Sequence, residues 1–203
     1  MLHVDLLNLE FIPAILVGIG LSAACGFRVF VPLLGLSIAA HTGYLQLSPE
    51  FAWLGSTPAL VALALATILE VGAYSVPFID HMMDAITTPA AIVAGTLLMA
   101  SLLGETSPFL KWSLAVIAGG GAAGIVQAGS MFLRGGSTIL TGGSGNFMVA
   151  IFELLGAVAM TVLALLLPLL AVTGLAVIAV LLVRQLWRRF RGSAPPPSAD
   201  SSY

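Results

Sequence analysis

Apolar residues run along this chain in blocks of about 20, separated by short polar or glycine-rich stretches. The first block, residues 11–40, would be about 45 Å long as one helix, against a hydrocarbon core of about 30 Å. Gly18, Gly20, Gly26, Pro32 and Gly35 fall inside it. The pattern therefore predicts a tilt, a kink near residues 26–32, or two half-helices. Residues 41–56 read as a loop with a short helix, and Tyr44, Phe51 and Trp53 suit the headgroup level. A second span over 58–76 carries Glu70. Residues 77–88 (PFIDHMMDAITT) are polar and read as a connecting turn or half-helix. A third span over 89–103 is short enough to be either a crossing or a re-entrant segment. A fourth, over 108–133, has Gly119, Gly120, Gly121 and Gly124 at its centre.

Residues 135–146 (GGSTILTGGSGN) read as a glycine and hydroxyl loop, with Asn146 capping the next helix. The apolar stretch 147–190 would be about 66 Å long as one helix, so Pro168 and Gly174 are expected to mark a tight turn between two spans. Ser48-Pro49, Thr57-Pro58, Thr88-Pro89 and Ser107-Pro108 each set a capping hydroxyl before a proline suited to a first helical position. The expected fold is an all-α polytopic membrane protein of about six transmembrane helices, or five and a re-entrant segment, with a broken or kinked first helix. A polar leader (1–10) and a disordered tail (192–203) flank one transmembrane domain (11–191), divisible into halves at 11–104 and 108–191.

Composition supports this class. The chain is 59% hydrophobic and 8% charged, where soluble domains average about 25% charged. Its mean hydropathy is +1.10. The short alternating segments of a β-barrel are missing from the sequence. A net charge of −2 points to neither an acidic nor a basic partner. The cluster Arg184, Arg188, Arg189 and Arg191 is a helix-end flank without interleaved aromatics, which argues against nucleic-acid binding. With six crossings both termini share a side, and this cluster makes that side cytoplasmic. Arg134 then also falls inside and Lys111 outside. The N-terminus shows no basic region or small-residue cleavage site, so the first helix is expected to be its own insertion signal. A single cysteine, Cys25, leaves neither an intrachain disulfide nor a cysteine-based zinc cage, and reads as a small packing residue.

Three charges fall within predicted spans: Arg28, Glu70 and Glu153. They line a polar pathway or bind a charged group of a substrate. The plainer alternative is a structural ion pair that fixes helix register, or snorkelling near the interface. Two acids to one arginine would leave one carboxylate to carry a proton. Asp80, His81 and Asp84 form a second polar cluster in the connector; the aspartates are spaced i, i+4 and suit a divalent cation, or are simply solvated. DxxxD spacing also occurs in lipid-head-group transferases of the CDP-alcohol type, but their preceding Asp-Gly…Ala-Arg half is absent. In the loop, Arg134 with Ser137, Thr138, Thr141 and Ser144 suggests an anion-binding nest, or equally a flexible connection. No Gly-Lys-Ser/Thr follows, so it is not a Walker loop. No metal site and no cofactor is expected.

A weak internal repeat pairs residues 18–26 with 118–124, each followed by a glutamate helix in which Gly-Ala closely follows Glu70 or Glu153. A true repeat favours a transporter or channel with its site between the halves. Glycine faces of this kind otherwise serve close helix packing.

The segments GLSAACGFRVFVPLLGLSIAAHTGY, FAWLGSTPALVALALATILEVGAY, TPAAIVAGTLL and IAGGGAAGIVQ resemble the bacterial integral membrane proteins grouped as domain of unknown function 4126, over roughly residues 12–185. That resemblance implies an inner-membrane location and little more, and it carries no catalytic residues across. Residues 26–33 are also similar to the G-x-R-x-F-x-P segment of DedA-type membrane proteins, which implies a lipid-linked substrate. The leading functional expectation is a small transporter or channel of the bacterial inner membrane with a central site on Arg28, Glu70 and Glu153. A non-transporting scaffold or assembly partner is the alternative, and a metal-dependent lipid-modifying enzyme the third. Expected partners are the lipid bilayer, an unidentified solute or ion, and optionally a second copy of the chain.

Overall fold

The computed structural model describes residues 11–74, 77–104 and 106–191; side chains of 77–84, 181, 182, 185, 186 and 188–191 lie outside that description. The leader at 1–10 and the tail at 192–203 also lie outside it. Helices joined by short connections make up the described chain: α1 (Phe11–Cys25), α2 (Phe30–His41), a 3₁₀ turn (Pro49–Gly55), α3 (Thr57–Ala73), α4 (Pro77–Leu102), α5 (Pro108–Leu114), a π-helical stretch (Ala115–Gly120), α6 (Gly121–Thr141), α7 (Asn146–Leu166) and α8 (Pro168–Arg191). Three helical stretches are long and apolar enough to cross a bilayer: Ala85–Leu102, Pro108–Thr141 and Asn146–Leu166. The 3₁₀ turn and α3 make a fourth if taken as one span bent by 66°. Shorter apolar helices at Phe11–Cys25, Phe30–His41 and Pro168–Val180 complete the set. Phe109, Phe132, Ile139 and Leu140 are each at least 80% exposed, an outer surface that only lipid or another apolar partner can cover. The protein is an all-α membrane protein.

α1 is the central helix, in contact with α2, α4, α6, α7, α8 and the π-helical stretch. Leu21, Ala23, Ala24 and Cys25 on it are buried; Leu21 and Cys25 share one apolar cluster with Leu98 of α4, while Met99 and Ala100 of α4 belong to a second. Small residues set the helix spacing. A Cβ on Gly119 would lie 2.5 Å from the Gly95 carbonyl oxygen, so α4 and the π-helical stretch meet backbone to backbone. Ser22 of α1 joins the same contact by donating to the Gly95 carbonyl at 2.7 Å.

The first apolar block is broken as expected, at residues 26–29 between α1 and α2. Pro32 has no N–H for the Arg28 carbonyl, so the ladder lacks a bond at this point and a break here is favoured. Gly26 and Phe27 instead turn back onto the Ala23 and Ala24 carbonyls at 3.0 and 3.1 Å. A Cβ at Gly26 would sit 2.5 Å from the Ala123 carbonyl oxygen and 2.7 Å from the Gln127 nitrogen, so the break presses directly on the α6 backbone.

Several boundaries differ from the sequence expectation. Residues 77–88 are not a separate connector but the first turns of α4, and Pro89 lies inside that helix and does not start one. The α3 cap is Ser56, whose side chain accepts from Ala59 N at 3.4 Å, so Thr57 is already helical. Ser107 does cap α5, accepting from Leu110 N. The loop at 135–146 shrinks to a turn at 142–145, since α6 runs to Thr141. Thr138 and Thr141 hydroxyls donate to the Arg134 and Ser137 carbonyls at 3.0 and 2.7 Å, a pairing that suits hydroxyl residues to an apolar helix. Gly142 and Gly143 then take positive φ, 62° and 92°, and end it. The last apolar stretch turns at Leu167, just before Pro168, and α8 continues unbroken through Gly174.

Candidate functional site

Four elements deliver polar side chains to the α1–α2 break. Arg28 stands in the break itself. The last turn of α3 supplies Glu70, with Tyr74 four residues on and therefore on the same face. α6 supplies Ser130 and Arg134 at the same spacing. α7 supplies Glu153 and the Ala150 carbonyl, one turn apart. Arg28, Glu70, Arg134 and Glu153 are all at most 5% exposed. Glu153 lies about 10 Å along α7, a helix about 31 Å long, so the cluster is inside a span and not at its end.

The two glutamates play different parts. Glu70 takes the free amides of the second half-helix: its Oε1 accepts from Val29 N at 2.8 Å and its Oε2 from Phe30 N at 3.1 Å. It occupies the anion position that a helix N-terminus offers, across a gap of about 40 residues in the chain. Glu153 is the ion-pair partner. Its Oε1 accepts from Arg134 Nε at 2.8 Å and from the Ser130 hydroxyl, and its Oε2 accepts from Arg134 Nη2. Arg134 thus grips it with a bidentate fork. Arg28 Nη2 lies 3.7 Å from Glu153 Oε2 and donates to the Ala150 carbonyl at 3.0 Å. Both guanidiniums lie against the Tyr74 ring, their Cζ atoms 3.8 Å (Arg28) and 4.2 Å (Arg134) from its centroid. The Tyr74 hydroxyl donates to Thr87 Oγ1 at 3.1 Å and so ties the group to α4.

The three residues singled out from the sequence therefore meet at one place, although Glu70 arrives as a backbone cap and is not within ion-pair distance of Arg28. Arg134 is a correction. It was expected on a cytoplasmic flank beside an anion nest, but it is buried at 5% exposure and paired with Glu153. The nest does not form around it: Ser137, Thr138 and Thr141 are helical, and the Ser144 hydroxyl donates to the Thr141 carbonyl at 2.9 Å. The side chains of Asp80, His81 and Asp84 lie outside the described residues. Tyr74, Ser130 and the Ala150 carbonyl were missed; the i+4 spacing of Tyr74 from Glu70, and of Arg134 from Ser130, is the signal that marks them. The proposed repeat does not extend to form: residues 18–26 lead into a break, whereas residues 118–124 pass from π-helix into α6 without one.

With the geometry in place, the family comparison is decisive: the model described as Domain of unknown function (DUF4126) matches residues 15–188. The chain belongs to the DUF4126 family. Arg28, Glu70, Arg134 and Glu153 all fall within the matched part of this DUF4126 protein. The likeness of residues 26–33 to DedA-type proteins is not shown by the comparison. Among curated proteins and solved structures, nothing matches the chain.

Proposed function

We propose that this DUF4126 protein is a small transporter whose substrate path passes the α1–α2 break. The supporting observation is a discontinuous helix that holds a buried arginine at its interruption, braced by glutamates from two other helices. Irregular backbone inside a membrane protein is tolerated where it is enclosed by protein or lines a cavity, and broken helices with ionisable side chains are a recurring basis for solute sites. We keep the bacterial inner membrane as the location that the family resemblance implies, and we orient the C-terminus to the cytoplasm on the Arg184–Arg191 cluster alone, because Arg134 is buried and does not count as a flanking charge.

The test is flux in reconstituted vesicles, read by solid-supported-membrane currents and by isotope uptake over a panel of inorganic and organic anions and cations. Wild-type protein should carry at least one of them, and Arg28→Gln, if it elutes as a folded species, should lose that flux. Wild-type vesicles silent across the panel, or Arg28→Gln with full flux, would refute the reading. One observation favours the scaffold alternative: every carboxylate oxygen of Glu70 and Glu153 has a donor, as a purely structural lock would show. A stoichiometric membrane partner recovered with the protein, together with absent flux, would select that alternative.

A further inference from the structure

The groups at the α1–α2 break divide unevenly into satisfied acceptors and unsatisfied donors. Glu70 is held by two backbone amides, and Glu153 by Arg134 and Ser130. The amides at the start of α2 are taken by Glu70, so that helix end offers nothing more at Val29 and Phe30. Arg28 is different. It is 2% exposed, and only its Nη2 makes a hydrogen bond, to the Ala150 carbonyl. Its Nε and Nη1 have no partner among the described residues. These two nitrogens carry three of the five N–H donors of a guanidinium.

Burying a donor without a partner is costly, and more so when the group is charged. Protein interiors seldom leave such groups without a structural or functional reason. Arg28 shares the charge of Glu153 with Arg134: its ion pair at 3.7 Å is beyond hydrogen-bond distance, while Arg134 holds that carboxylate directly, so Glu153 does not satisfy the Arg28 donors. The Tyr74 ring and the Ala150 carbonyl fix the guanidinium in place, so its free donors are pre-oriented. A cation would meet two guanidiniums and no free carboxylate oxygen of Glu70 or Glu153. An oxyanion supplies what the Arg28 donors lack: several acceptor lone pairs in a compact group that suits a guanidinium.

We propose that Arg28 binds an oxyanion, a carboxylate or phosphate group, through its Nε and Nη1 donors at the α1–α2 break. The claim that this anion is also the cargo rests on the transport reading; the binding itself does not require flux. The group comes either from a free anion or from a lipid headgroup, and the two sources separate experimentally.

The full chain is placed in nanodiscs of digalactosyldiacylglycerol, a bilayer lipid with neither phosphate nor carboxylate, and titrated calorimetrically with inorganic phosphate and with acetate. A parallel sample uses phosphatidylglycerol nanodiscs and follows the thermal midpoint. Saturable binding of either soluble anion supports the proposal with a free-anion source. Stabilisation confined to phosphatidylglycerol supports it with a lipid source. In whichever arm responds, Arg28→Lys should weaken the response at least tenfold, and Arg184→Gln, an exposed control, should leave it unchanged. Should Arg28→Lys fail to fold, the wild-type protein labelled with ¹⁵N-arginine still decides. Arg28 and Arg134 are the buried arginines among the described side chains, and the anion must shift one of the exchange-protected Nε–H signals. No response of folded wild type to any of the three probes, an Arg28→Lys protein that binds as wild type does, or unmoved Nε–H signals at saturating anion would each overturn the proposal. Saturable binding without vesicle flux keeps this inference and removes the transport reading; flux without any anion response does the reverse.

Discussion

Glu70 can be tested at single-residue resolution, because its two bonds end on identified amides. In Glu70→Ala, Val29 N and Phe30 N lose their acceptors at the start of α2, a position enclosed by protein. A hydrogen bond to a charged group contributes about 1.5–3 kcal/mol, so two of them give an upper range of about 3–6 kcal/mol. The unfolded-in-membrane state finds substitute partners, which brings the expected loss toward about 3 kcal/mol. Glu70→Gln keeps one carbonyl acceptor but turns an NH₂ toward the second amide, so it should lose somewhat more than half of that value. Glu70→Asp shortens the side chain by one methylene and should behave nearer to Ala than to Gln. The assay is hydrogen–deuterium exchange of the protein in nanodiscs, read on peptides covering residues 26–41. About 3 kcal/mol corresponds to roughly a hundredfold faster exchange at Val29 and Phe30 if local opening governs it. The change should be confined to the first turn of α2, with α4 protection as the internal reference. Exchange at Val29 and Phe30 unchanged in Glu70→Ala, or a Gln variant as damaging as Ala, would show that Glu70 does not cap this half-helix.

Three further substitutions follow from the same geometry. Glu153→Gln leaves two buried guanidiniums facing a neutral amide and should lower stability by about 3–5 kcal/mol in denaturant titrations, while the double variant Glu153→Leu/Arg134→Met should recover part of that loss. Gly26→Ala drives a methyl into the Ala123 carbonyl and Val126 and should cost about 1–3 kcal/mol by the same titration, whereas Gly72→Ala, with open space around it, should be neutral within about 0.5 kcal/mol. Glu50→Gln removes the partner of Lys111, but Glu50 is 70% exposed, so the change in thermal midpoint should correspond to no more than about 1 kcal/mol and vanish at high salt.

Much of this fold is legible in the sequence because apolar length and proline position act locally. Pro32 cannot donate to Arg28, and Gly26 alone permits the approach of α6, so the break at 26–29 follows from a few residues. Pro168 fixes the α7–α8 turn in the same way. Boundaries fail where the membrane changes what a polar residue signifies. In water, a run such as GGSTILTGGSGN favours a loop, since its hydroxyls compete for the backbone. In this protein Thr138 and Thr141 bond to carbonyls of their own helix, and α6 continues past Arg134 by two turns. Polarity at 77–88 misleads similarly, because Thr87 and Thr88 are α4 residues bonded to Tyr74 and Gln127 and not exposed connector residues.

The functional consequence turns on one misplaced arginine. With Arg134 assigned to a cytoplasmic flank, one guanidinium faces two glutamates, a carboxylate is left over, and the chemistry points to a proton carrier. Arg134 is instead inside, and its fork closes on Glu153. Glu70 is withdrawn from the count as well, since it serves the amides of Val29 and Phe30. Two guanidiniums then stand with two carboxylates, and what is left over is hydrogen-bonding capacity and not charge. What the break leaves unsatisfied is not an acceptor awaiting a proton but the donors of Arg28. Sequence spacing alone had no access to this. Glu153 is equally available to Arg28 and Arg134 on paper, and only the side-by-side packing of α6 and α7 gives the closer bond to Arg134. On the transport reading proposed above, a coupling scheme would begin from the unpartnered donors of Arg28, and a proton-carrying step at Glu70 would first have to release the half-helix that Glu70 caps.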